Sequence, residues 1–328
     1  RDSERAEVYH GAGVPLGQRP KVSKNWCNSL CLRLQEHLER NPTMRLCRYN
    51  NDRLGLVDGD QIADVTAALN VLPEQIWPLT PGDPLILHLD AVRANVSEIV
   101  VGADRIALAD ASLLSPVANP TKIIGAPVNY QLHIDEALED GGISSGKKIL
   151  KIEEAGPFLK ACSALVGPSE GVALRFPNRR TDHEVELGVV IGKIADRVPR
   201  EDALQYIAGY AVALDMTVRG TEDRSVRKSI DSYAVLGPWL VTADEINNPN
   251  NLDLEISVNG EIRQKSNTRH LIYDVEHLIE FCSSFYTLHP GDIIMTGTPE
   301  GVAPVRDGDA MACTVEKVGT MTVPVRLA

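Results

Sequence analysis

The stretch Asp182-His183-Glu184-Val185-Glu186-Leu187-Gly188-Val189-Val190-Ile191-Gly192 constrains this chain more than any other. Its short, β-branched apolar run predicts a strand over 184–191. On a strand, Glu184 and Glu186 share one face, about 7 Å apart along the chain, and Val185 and Leu187 take the other. Two unneutralised carboxylates side by side repel, and a cation between them is the simplest remedy. A solvated face is the alternative that a bare Glu-x-Glu leaves open. A second run, Gly209-Tyr210-Ala211-Val212-Ala213-Leu214-Asp215, is an apolar strand that ends abruptly in an acid. Three carboxylates suit a hard cation such as Mg²⁺, Mn²⁺ or Ca²⁺, whereas zinc prefers His or Cys. Asp215 alone could equally cap a turn.

The surrounding pattern is rich in strands. Runs at 44–49, 53–57 and 61–65 alternate and are punctuated by Asn50-Asn51-Asp52 and Asp58-Gly59-Asp60, which are turn residues. With a helix near 86–96 they define a small β domain over residues 44–115. A larger domain follows over residues 116–328, with strands at 122–126 and 293–295 and a short helix at 200–207. Strands at 252–258 and 261–265 flank Asn259-Gly260, a hairpin signal. Asp274 is positioned to cap a helix whose Val275, Leu278, Ile279 and Cys282 fall on one face. The polar, Gly-rich segment 131–157 predicts a lid or a disordered loop. No βαβ alternation and no GxGxxG occur, which disfavours a Rossmann fold. The expected class is α+β and strand-rich. Residues 1–43 are polar, with a possible short helix at 29–39, and form an N-terminal extension.

Composition sets the outer limits. The 328 residues are 43% hydrophobic and 24% charged, an ordinary globular balance, and allow one large domain plus a smaller one. Aromatics are 5%, so the core must be aliphatic, and Trp26, Trp77 and Trp239 are expected in core or interface. A net charge of −12 argues against nucleic acid, which needs clustered Lys and Arg. It leaves room for a small anionic substrate, since a few cations can dominate one cleft. No apolar run is long enough for a membrane helix, and the first 30 residues lack the apolar core of a secretory signal. Six scattered cysteines fit no zinc pattern and are expected as free thiols in a reducing cytoplasm.

A third constellation is Asn129-Tyr130-Gln131-Leu132-His133-Ile134-Asp135-Glu136. His133 and Glu136, at i and i+3, share a face on a helical turn. A carboxylate beside a His orients the ring and raises its basicity, as water activation requires. A surface ion pair is the alternative. Near the C-terminus, Thr296-Gly297-Thr298-Pro299-Glu300-Gly301 forms a loop whose backbone N–H groups could cradle a carboxylate, or a plain turn.

Taken in order, these pieces resemble the catalytic domain of the fumarylacetoacetate hydrolase family over about residues 122–326. The resemblance is carried by Gly125-Ala126-Pro127-Val128-Asn129-Tyr130 with His133 and Glu136, the 183–193 block, and Leu214-Asp215-Met216-Thr217. It continues through Lys228-Ser229-Ile230-Asp231, Leu236-Gly237-Pro238, Asn259-Gly260-Glu261 and the stretch 290–302. Residues 44–65 resemble the small domain often found ahead of it. The resemblance implies a mixed β-sandwich roll and a homodimer. It implies Glu184, Glu186 and Asp215 as ligands of a divalent metal, Mg²⁺ foremost, with Mn²⁺ or Ca²⁺ as alternatives. It implies His133 and Glu136 as the water-activating dyad, with Lys228 also catalytic. Arg219 and Thr298 fall on positions that contact the carboxylate and oxo group of a small keto acid, and Tyr130 on the pocket wall. The implied activity is C–C bond hydrolysis of a 2,4-dioxo acid of acylpyruvate or fumarylpyruvate type. Decarboxylation or isomerisation of a 2-oxo diacid, and metal binding without catalysis, stay open. Two departures stand out: Leu132 where Asp is common before the dyad His, and Glu222 where Gln is common. A carboxylate at 222 would repel an anionic substrate unless Arg224 or Arg227 neutralised it.

Overall fold

The computed structural model describes residues 44–328. The helix expected at 29–39, with Trp26, Cys27 and Cys31, lies outside the described residues. Asn50 and Asp52 take φ of 50° and 59°, a left-handed turn that short polar side chains tolerate. They fold β1 (Arg45–Tyr49) back onto β2 (Arg53–Asp58), with Leu46 opposite Leu56. A second turn at Gly59 leads into β3 (Gln61–Asp64), and β4 (Arg105–Ala107) lies beyond it. The helix expected at 86–96 is two pieces. Asp83 caps the first, Pro84–Leu87, and α1 (Leu89–Ile99) follows, burying Leu89, Val92 and Val96.

The rest of the chain adds β5 (Ile123–Gly125), α2 (Gln131–Glu139), β6 (Phe158–Lys160), β7 (Val185–Ile191) and β8 (Ile207–Asp215). Then come α3 (Arg224–Lys228), β9 (Ala234–Thr242), β10 (Asp253–Val258), β11 (Glu261–Asn267) and α4 (Val275–Phe285). The last strands are β12 (Ile293–Met295), β13 (Ala310–Val315) and β14 (Gly319–Leu327). One large sheet runs in the order β4-β3-β2-β1-β9-β8-β7-β12-β5-β6, and a second, five-stranded sheet contains β11-β10-β13-β14. The fold is α+β and strand-rich. The segment 44–115 is stitched into the large sheet, because β1 pairs with β9 at Arg45↔Val241.

Both faces of the large sheet are covered. Val185, Leu187, Val189 and Ile191 of β7 join Val212 and Leu214 of β8 against β10, β13 and α4. The opposite face carries Val190, Ala211, Ala213 and Leu236 and packs against α1. A strand buried on both sides is held in register, since a slip of one residue would exchange its two faces. The segment 131–157, expected as a lid or loop, contains α2 and two short helical turns, Gly141–Ser144 and Ile152–Ala155. The Asp140 side chain accepts from Gly142 N and starts the first turn despite the paired glycines. Trp239 is buried and donates to Val318 O, whereas Trp77 is 88% exposed on this chain.

Candidate active site

The carboxylates meet through strand register. β7 and β8 are antiparallel, with Val185 opposite Leu214, and Asp215 N donates to Glu184 O at 2.9 Å. Glu184, Glu186 and Asp215 therefore share one sheet face at neighbouring strand ends. All three are buried, and one oxygen from each lies within 4.8 Å of the others. The solvated face that Glu-x-Glu left open is not what forms. Three hard oxygen donors converging with no His or Cys among them fit a divalent cation.

Cations already crowd the triad. Lys228 Nζ donates to Glu184 Oε2 at 2.7 Å, Asp215 Oδ2 at 2.6 Å and Thr217 Oγ1 at 2.6 Å. Arg219 reaches Glu184 Oε1 at 3.0 Å and Asp182 Oδ2 at 2.8 Å. Burial pushes the Glu184 carboxyl up, but Lys228 and Arg219 together outweigh it and hold the group below the usual carboxylate range. Glu186 goes the other way, raised first by burial and then by the Asp215 charge. Its one shown donor is Gly297 N at 2.7 Å. The Gly-rich 296–301 loop thus gives backbone N–H groups to two of the protein's own carboxylates, Glu186 from Gly297 and Glu136 from Gly301.

α2 brings His133 into the cavity that the triad lines. His133 Nδ1 lies 2.9 Å from Glu136 Oε2, and Glu136 Oε1 accepts from Gly301 N at 2.9 Å. A carboxylate on Nδ1 fixes the Nδ1–H tautomer, so Nε2 carries the lone pair. His133, the three acids, Arg219, Lys228 and Thr298 line one cavity of about 120 Å³. That size suits a small organic acid. Thr298 is turned partly inward, donating to Val185 O and accepting from Gln264 Nε2. Tyr130 precedes α2 and is buried, but it is not among the residues lining this cavity; burial and the Glu186 and Glu300 charges raise its phenol. Leu132 is exposed, outside that lining as well. Glu222 is neutralised chiefly by Arg179, at 2.9 Å from both carboxylate oxygens, with the nearby Arg227 charge adding to it.

Three further buried residues belong to this assembly without being among the candidates read from the sequence. Lys160 ion-pairs with Asp215 Oδ1 and donates to Tyr233 O at 3.0 Å from behind the triad. Asp182 accepts from Arg180 and Arg219. Gln264 accepts from Val185 N at 3.1 Å and contacts the His183 ring. Asp182 continues the two-residue alternation of Glu184 and Glu186 and was visible on that basis. Lys160 and Gln264 have no such pattern.

Residues 122–326 match the family described as fumarylacetoacetate (FAA) hydrolase C-terminal, and the chain belongs to the fumarylacetoacetate hydrolase family. Within it, the chain is 58% identical to the maleylpyruvate hydrolase of Aquipseudomonas alcaligenes over 285 residues, covering 86% of this chain and 99% of that one. The crystal structure of maleylpyruvate hydrolase from Sphingobium sp. SYK-6, in complex with manganese(II) ion and pyruvate, superposes with a TM-score of 0.74 at 43% identity, over 87% of this chain and all of that one. A mitochondrial oxaloacetate tautomerase of Xenopus laevis is 32% identical over 303 residues, 86% of this chain and 90% of its own.

Proposed function

We propose that this protein is a metal-dependent hydrolase that cleaves a C–C bond of a 2,4-dioxo acid of the maleylpyruvate type. The observation that carries this is that His133, held at Nδ1 by Glu136, lines one small cavity together with the carboxylate triad. Glu184, Glu186 and Asp215 would hold the cation, with Mg²⁺ proposed as the resident ion and Mn²⁺ as the alternative. When bound, such an ion supplies a positive centre that stabilises charge developing on substrate oxygens. Arg219 and Lys228, fixed and buried, hold further positive charge beside it, and Thr298 would serve the same end of the substrate by turning its hydroxyl away from Val185 O. Tyr130 backs the site beneath α2.

His133 Nε2 takes a proton from water while Glu136 steadies the imidazolium that forms. The water oxygen attacks the C4 carbonyl, the C3–C4 bond breaks, and C3 takes up a proton. The proton held on His133 is the one C3 receives, and the products are pyruvate and the carboxylic acid of the acyl part, which loses its own proton to solvent, so atoms and charge balance with one water consumed. The test is incubation of metal-stripped protein with maleylpyruvate, acetylpyruvate and oxaloacetate, with and without Mg²⁺ or Mn²⁺. Metal-dependent release of pyruvate together with the acyl acid, from maleylpyruvate or acetylpyruvate, supports hydrolysis. A change confined to the keto–enol form of oxaloacetate favours the second reading, tautomerisation, which the 32% identical relative brings forward.

We also propose residues 44–115 as a small N-terminal domain braced on a catalytic portion, 116–328, through the β1–β9 pairing. Residues 1–43 are proposed as an extension that the chemistry does not need. A homodimer in the cytoplasm is the proposed setting, checked by light scattering and fractionation.

A further inference from the structure

The protein carries a net charge of −12, yet six cations line the cavity against three acids. Five of the six have partners. Arg219 and Lys228 bind the triad. Arg227 Nε and Lys147 Nζ donate to Glu222 O at 3.0 and 2.8 Å. Lys148, mostly exposed, lies 3.9 Å from Glu154. The sixth, Arg224, has no hydrogen-bond acceptor or paired carboxylate among the described residues. Its guanidinium lies over the Phe158 ring, 5.4 Å from the centroid. Burial pulls its pKa down against the Glu184 and Asp215 charges, which pull it up, and an arginine at this depth keeps its charge. A half-buried guanidinium with all its donors unspent, facing a cavity, is a site for a planar anion.

Its position fixes which anion. Arg224 and Lys228 are i and i+4 on α3, about 5–6 Å apart at Cβ, and both sit over Phe158, with Lys228 Nζ 5.3 Å from the same centroid. Lys228 marks the triad end, where the 2-oxo carboxylate belongs. Arg224 therefore enters the same cavity one helical turn along α3 from Lys228. We infer that Arg224 binds a second, remote carboxylate and makes the enzyme selective for dicarboxylic over monocarboxylic 2,4-dioxo acids. This rests on the hydrolase reading given above.

The test compares kcat/KM for maleylpyruvate, a diacid, and acetylpyruvate, a monoacid, in the metal-loaded full chain and in Arg224→Gln. The diacid-to-monoacid ratio should fall about 10–100-fold, mainly through KM for the diacid, the loss expected for a charge-assisted bidentate contact made equally in ground and transition state. Arg224→Lys, which keeps charge and stem, should recover part of the ratio and guards against simple misfolding. An unchanged ratio, or equal loss on both substrates in both variants, overturns the assignment of Arg224 alone. Wild-type protein inert on both substrates overturns the reaction itself, and this inference with it.

Discussion

His133 and Glu184 line one cavity, and their replacements should fail in opposite ways. His133→Ala should lower kcat by about 10²–10⁴, the usual worth of a general base, while Mg²⁺ or Mn²⁺ affinity by calorimetry stays near wild type. Glu184→Gln should lose metal binding first and activity as a result. If His133→Ala weakened metal and turnover together, the dyad would not be separate from the ion site. These residues were legible because each sits in a local pattern: two acids at strand spacing, an acid ending an apolar strand, and a His and Glu on one helical turn. Lys160 was not legible, since its partner Asp215 is 55 positions away and nothing near 160 marks a buried cation. The unpaired state of Arg224 was equally hidden, because it depends on which acceptors its neighbours take.

Strands and turns fix what those side chains can reach. Gly301 has φ of +93°, and a Cβ there would meet Arg263 O at 2.1 Å. Its N–H holds Glu136 Oε1. Gly301→Ala should therefore cost about 1–3 kcal/mol of local strain, moving the loop off Glu136. Turnover should fall more than metal affinity, with circular dichroism unchanged; loss of both equally would place the loop's effect elsewhere. Most strands were legible from alternation and from turn residues such as Asn259-Gly260. The pairing of Glu184 beside Asp215 was not, because register between strands joined by the long connection 192–206 leaves no local trace. The helical turns after α2 were missed for another reason: Gly141-Gly142 and Ser144-Ser145-Gly146 read as loop, and the Asp140 cap that reverses this is a tertiary-scale detail held by Arg180 at 2.9 Å.

The chain taken entire makes two more predictions. Burial pushes the Cys47 and Cys282 thiols up to about 12, and lifts Cys313 further. A raised thiol pKa means less thiolate at a given pH, so at pH 8 these three should resist alkylation in the native state. Half-buried Cys162, also raised but less enclosed, should label ahead of them; peptide mapping decides, and early labelling of Cys282 would contradict the packing under α4. A chain beginning at Met44 should keep metal binding and turnover, because every side chain assigned to the site lies between Tyr130 and Thr298. Loss of either would give the first 43 residues a role in the chemistry.

The floor of the cavity and its cover come from different kinds of structure. The three acids are set by two inner strands locked on both faces, whereas His133, Lys147, Phe158 and Arg224 arrive on short helices, a three-residue strand and their connecting loops. Moving the acids would mean re-threading strands deep within a twelve-stranded sheet. Altering the cover needs only local edits near the surface. Such a scaffold can be retuned to new acids by small inherited changes while its ion seat is passed on intact, which makes it a ready starting point for substrate engineering at Arg224 and Lys147.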